Sequence, residues 1–222
     1  MTHLVVFDLD GTLIDSRLDL AASANRLLEE FGARPLSVAQ VVSMVGEGAR
    51  VLVGRVLDAA EVTADRDVAM RRFLEIYDEH LVDETRLYDG VLDTLQALDG
   101  RVAMALLTNK PRHHSVRILE ALGVRSFFAE VIGGDEAWPR KPDPGALQHL
   151  MASAGATPRT TIMVGDSMVD VETARRASAG ICIARYGFGV FDPVVCEGAL
   201  VAADARALRA LLLEAIAAEG DR

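Results

Sequence analysis

The chain has 222 residues, 50% of them hydrophobic and 25% charged, which excludes a disordered or fibrous protein and suffices for one or two domains with a buried core. Its 33 acidic against 23 basic residues leave a formal charge of −10, so nucleic acid is not an expected partner. Two cysteines, Cys182 and Cys196, are too few for a disulfide framework and lack CxxC spacing. No apolar run reaches the ~20 residues of a membrane span, and the opening run to Phe7 is too short for a signal segment, so a cytoplasmic protein is expected.

Leu4 to Phe7 is a short apolar, β-branched run that stops at Asp8-Leu9-Asp10-Gly11-Thr12, which predicts a buried strand ending in a carboxylate-rich turn. From Arg17 to Phe31, Leu20, Ala24, Leu27 and Phe31 recur with the helical period, and Gly32 follows as a stop. Helical patterns continue over 37–44, 49–57 and 63–81, with Val45-Gly46-Glu47-Gly48 as a glycine-bearing break. After Thr85 the pattern alternates: strands are predicted at 102–107, 131–132, 161–164 and 181–184, helices between them, and a terminal helix over 204–219. This alternation predicts an α/β fold, a parallel Rossmann-like sheet with right-handed crossovers and ligands at the strands' carboxyl ends. Residues 1–15 and 86–222 are expected to form the α/β core, and 16–85 an inserted helical cap able to close over that edge.

Polar clusters stand at these predicted strand ends: Asp8 and Asp10, then Thr108-Asn109, then Lys141, then Asp166 with Asp170. Carboxylates gathered at ~4 Å repel by roughly 4 kcal/mol per pair at an effective dielectric of ~20, so a cation is needed, and oxygen ligands point to Mg2+. A phosphate oxygen completes such a coordination shell, which makes a phosphate ester the natural substrate. Asp8 is a competent nucleophile toward phosphorus, Asp10 a proton donor to the leaving oxygen, and Thr108, Lys141 and the backbone N–H groups of Gly11 and Asn109 are donors to the phosphoryl oxygens. Read singly, these aspartates are turn or cap residues and the lysine is a solvated side chain; together they favour catalysis.

In that order and spacing the clusters resemble the four signature motifs of the haloacid dehalogenase superfamily of phosphatases, over nearly the whole chain. The resemblance implies that the side chains of Asp8 and Asp166 and the backbone carbonyl of Asp10 hold the ion, with Asp170 in support. It also implies that the insert is a helical C1 cap serving a small phosphorylated metabolite. Asp10 sets the chain apart from the dehalogenases, and the absence of a lysine between Asp15 and Tyr88 from the Schiff-base phosphonate hydrolases. Val45-Gly46-Glu47-Gly48-Ala49, Gly133-Gly134-Asp135 and Tyr186-Gly187-Phe188-Gly189 resemble the phosphoglycolate phosphatase branch, which makes 2-phosphoglycolate the first substrate to expect. Another small phosphoester, a β-phosphoglucomutase-like transfer and a non-catalytic interaction protein on the same fold are the alternatives.

Gly46, Glu47 and Arg50 are the cap residues expected to set specificity, Arg50 by meeting a substrate carboxylate, with a plain surface ion pair as the alternative reading of that arginine. Lys110 is read as capping an element near the phosphate or as surface charge, His113-His114 as a solvated pair on different helix faces, and Asp143-Pro144 as a helix N-cap and first turn. Trp138 either edges the site or packs.

Overall fold

The computed structural model describes residues 2–191 and 196–220, the last two by their backbone. Strand β1 (Leu4–Phe7) alternates strictly: Val5 and Phe7 enter the larger core cluster, Leu4 and Val6 the smaller one on the opposite face. A strand apolar on both faces is stable only at the centre of a covered sheet, and β1 lies there. It pairs in parallel with β4 (Ala103–Leu107) and β6 (Thr161–Gly165), Phe7 standing beside Leu106 and Val164. With β5 (Glu130–Ile132), β7 (Gly180–Ala184) and β8 (Leu200–Ala202) the order is β5-β4-β1-β6-β7-β8, all parallel.

Helices α5 (Val91–Leu98), α6 (Arg112–Ala121) and α9 (Ala205–Gly220) bury Leu95, Ile118 and Leu208 in the larger cluster. On the other face, α7 (Gly145–Ala154) and α8 (Met168–Arg176) supply Leu147 and Ala174. From β1 the chain builds outward to β4 and β5, then returns to the other side for β6. The strand order therefore reverses at β1 and opens a crevice at its carboxyl end.

Between β1 and β4 lies the helical insert, α1 (Arg17–Glu30), α2 (Val38–Val42), α3 (Ala49–Ala59) and α4 (Arg66–Glu79), in which α1 packs on α2 and α4, and α3 on α4. Its ends are joined by a two-residue antiparallel ladder, β2 (Ile14–Asp15) with β3 (Arg86–Leu87). These strands and β8 escape the sequence pattern because two or three residues carry no periodicity. Caps trim two predicted helices. Ser37 forms a capping box with Gln40, so α2 starts at Val38, and Asp65 accepts from the N–H groups of Asp67 and Val68, so α4 starts at Arg66. Helix α7 starts at Gly145 rather than Pro144, with Asp143 accepting the Gly145 N–H at 2.8 Å. No helix among the described residues is long and apolar enough to cross a membrane.

Candidate active site

All four polar clusters meet at the crevice above β1. Asp8 follows β1 directly, Thr108 and Asn109 follow β4, Lys141 comes from the loop after β5, and Asp166 follows β6. Asp8, Asp166 and Asp170 are buried, and each offers an oxygen within 4.8 Å of the others. One buried ammonium stands among them: Lys141 Nζ lies 2.8 Å from Asp8 and 2.6 Å from Asp170. Asp170 is held from the other side by the Ser167 hydroxyl at 2.5 Å, part of the capping box that starts α8.

Burial pushes the Asp8 carboxyl up to about 6, against the pull of Lys141 and with help from the charge of Asp170. Burial and the charges of Asp8 and Asp170 push Asp166 well above the usual carboxylate range, although the Phe188 N–H donates to it at 2.6 Å. Burial works against the Lys141 charge, but Asp170 and Asp8 outweigh it and keep the ammonium protonated. Three buried carboxylates with one lysine are short of positive charge, and the donors are all oxygen, so the set fits a hard divalent cation such as Mg2+.

A cavity of about 310 Å³ opens above this cluster, lined by Asp8, Asp10, Thr108, Lys110 and Asp166 from below and by Val45, Gly46, Leu52, Phe73 and Tyr77 of the insert from above. The glycine break reaches the site. Asn109 Nδ2 donates to the carbonyl of Gly46 and to that of Lys141, both at 3.0 Å, tying the insert to the lysine loop.

Gly11 has φ +80°, and a Cβ there would lie 2.0 Å from Asp166 Oδ2, so only glycine lets this turn approach the carboxylate. Its N–H donates to the Ile14 carbonyl at 2.9 Å, which corrects the expectation of a phosphate donor: Gly11 acts here by its lack of a side chain.

Glu47 and Arg50 are not brought to the cavity. Glu47 pairs with Arg55 at 2.5 Å, and Arg50, on the outer side of α3, pairs with Asp67 of α4. Trp138 stacks on His149, with ring centres 4.8 Å apart, and packs rather than edging the cavity. Lys110 is neither a cap nor a surface charge: it is buried, with Nζ 2.9 and 3.0 Å from the two Asp10 oxygens. His114 is likewise buried rather than solvated, and both His113 and His114 reach Asp78 at 3.3 Å.

Sequence reasoning missed Ser16, whose hydroxyl donates to Asp10 Oδ1 at 2.5 Å, and it singled out Tyr186-Gly187-Phe188-Gly189 as a motif without placing that loop on Asp166, where the structure wraps it. Lys110 carried a signal, as one of only two lysines in the chain.

Residues 5–184 match the family described as haloacid dehalogenase-like hydrolase. The chain is 42% identical over 215 residues to a phosphoglycolate phosphatase of Pseudomonas putida, covering 94% of this chain and 79% of that one. It is 34% identical over 224 residues to a phosphoglycolate phosphatase of Agrobacterium fabrum, covering 99% and 96%. Among solved structures, one described as a predicted phosphoglycolate phosphatase from Haemophilus somnus superposes with a TM-score of 0.87 at 32% identity, covering 95% of this chain and 98% of that one. With four polar motifs gathered at one sheet edge and a match over this length, the chain belongs to the haloacid dehalogenase-like hydrolase family.

Proposed function

We propose that the protein is a Mg2+-dependent phosphomonoester hydrolase working through a phospho-Asp8 intermediate, with 2-phosphoglycolate as its substrate. The observation that carries this reading is the juxtaposition of Asp8, Asp166, Asp170 and Lys141, a nucleophile with a ready-made cation site and a fixed ammonium. The names of its relatives support the choice of substrate.

Asp8 and Asp166, with the Asp10 carbonyl, would hold the ion, which supplies charge neutralisation of the phosphoryl oxygens when bound. An Asp8 oxygen attacks phosphorus while the ester oxygen departs with a proton from the Asp10 carboxyl, leaving an acyl phosphate and an alcohol. Water then attacks that phosphorus, gives its proton to Asp10, and releases phosphate and free Asp8. Lys141 and the Thr108 hydroxyl counter the charge on the transferring oxygens. In the same reading, residues 16–85 form a cap that shuts out bulk water during transfer, and the cytoplasm is the setting.

Phosphate release from 2-phosphoglycolate with Mg2+ tests this directly. Asp8→Asn is expected to abolish turnover while the far-ultraviolet circular dichroism stays that of the wild type; wild-type turnover by that variant rejects the phospho-Asp8 route.

A further inference from the structure

We infer that Lys110 is a positioning residue that holds the Asp10 carboxyl in line with the leaving oxygen, and that Tyr77 of the insert in turn holds Lys110. This rests on the hydrolase reading above and assigns a residue that the four motifs do not include.

The backbone of Lys110 is fixed first. Its N–H donates to Thr108 Oγ1 at 3.2 Å, and its carbonyl accepts the Gly134 N–H at 2.9 Å, so the side chain leaves from an immobile point beside the nucleophile strand. The ammonium then contacts both Asp10 oxygens, at 2.9 and 3.0 Å, while Ser16 takes Oδ1 at 2.5 Å from the start of the insert. A carboxyl gripped from two sides cannot swing about its terminal torsion, the softest in the side chain. On its far side Nζ stands 4.5 Å from the centre of the Tyr77 ring, which is itself stacked on Phe73. The lysine is thus clamped between an aromatic face of the insert and a carboxylate of the core.

Stability does not account for this arrangement. A buried ion pair holds a fold no better than apolar side chains of the same volume, so a lysine stem in an otherwise arginine-using chain has its use in what it does to Asp10. Transfer of a proton to the ester oxygen requires the Asp10 oxygen within ~2.6–3.2 Å of it, a tolerance that a freely rotating carboxyl does not meet. Lys110 acts through Asp10 and takes no bond-making part.

The test compares two esters by kcat/KM, which reports the step that forms the acyl phosphate. The leaving group of 2-phosphoglycolate needs a proton; that of p-nitrophenyl phosphate departs as a stable phenolate. Lys110→Met is expected to lower kcat/KM on phosphoglycolate about 100-fold and on the nitrophenyl ester less than about 10-fold. Lys110→Arg, which keeps the charge but shifts the donors, is expected to show the same bias at smaller size, and Tyr77→Leu the same bias again. Equal losses on both esters, or none, overturn the inference and leave Lys110 a packing residue. If Lys110→Met does not fold, the ratio in Lys110→Arg decides alone. Wild-type protein inert toward both esters overturns the hydrolase reading instead.

Discussion

The buried carboxylate of Asp19 accepts both the backbone N–H of Thr85, at 2.8 Å, and its hydroxyl, at 2.7 Å. It also takes the Glu84 N–H at 3.0 Å. Asp19 sits in the first turn of the insert and Thr85 just before the strand where the insert ends, so one side chain closes the loop at its base. Asp19→Ala leaves the Thr85 N–H and hydroxyl unpaired in a buried position at about 1–3 kcal/mol each, with incomplete additivity, while the N–H of exposed Glu84 can turn to water. A drop of at least about 2 kcal/mol in urea unfolding is expected, with Asp19→Asn in between because its amide keeps one acceptor. A loss below about 1 kcal/mol would mean the ends of the insert are held by other contacts.

The Asp19 contact also marks where sequence reading stops. Period-two alternation in Leu4–Phe7 and helical spacing in Arg17–Glu30 are local signals, and they locate the sheet centre and the insert. The turn Asp8 to Thr12 and the motifs at Thr108, Lys141 and Asp166 were legible because each follows its own strand, and a parallel sheet brings such ends together. Asp19 with Thr85, Lys110 with Asp10 and Asp166 with Phe188 are separated by 66, 100 and 22 residues, and no periodicity encodes them. Of the two readings of Arg50, the structure shows the surface ion pair and not the substrate contact: the residue lies next to the glycine break in sequence, but its phase on α3 turns it toward Asp67.

His114 supplies a pH prediction. Its ring packs edge-on to Tyr77, its Nε2 lies 3.3 Å from Asp78, and its Nδ1 is buried without a partner. Burial, and then the charge of Lys110, bring it down to about 4, while Asp78 pulls the other way and His113 and Arg117 add to the fall. A histidine whose folded value lies below its unfolded value of 6.5 contributes stability that is full above that pH and is lost as pH falls toward 4. His114→Gln should therefore show a shallower decline in urea midpoint between pH 6.5 and 4 than the wild type. An unchanged decline would assign that acid sensitivity to other groups.

Gly187 is expected to tolerate no side chain. A Cβ at this position would stand 2.2 Å from the Gly11 carbonyl oxygen and 2.4 Å from Asp166 Cβ, the one backbone and the other the stem of a buried side chain. Gly187→Ala must displace Asp166 or the Gly11 turn, and a shift near 1 Å at a group proposed to hold the ion costs on the order of 100-fold in rate. The steric conflict should also lower stability by about 1–3 kcal/mol. The variant is best assayed for phosphate release over a Mg2+ titration, where a rate within about threefold of wild type would show that the loop yields and the cluster does not.

Magnesium should act as a structural ligand as well as a catalytic cofactor. With Lys141 the one ammonium among the described residues that pairs within this cluster of Asp8, Asp166 and Asp170, ion binding relieves both burial and mutual repulsion, so it favours the folded chain over the unfolded one. At 100 times its dissociation constant the ion adds about 2.7 kcal/mol, which for a chain of this size raises the unfolding temperature by roughly 5–10 °C over chelator-treated protein. Asp166→Asn separates the two effects. It removes a charge that burial and its neighbours already disfavour, so the chelated variant should be no less stable than the chelated wild type. It also removes a ligand, so the Mg2+ shift should vanish. An undiminished shift in Asp166→Asn would place the ion elsewhere and leave the three carboxylates without the cation that their burial requires.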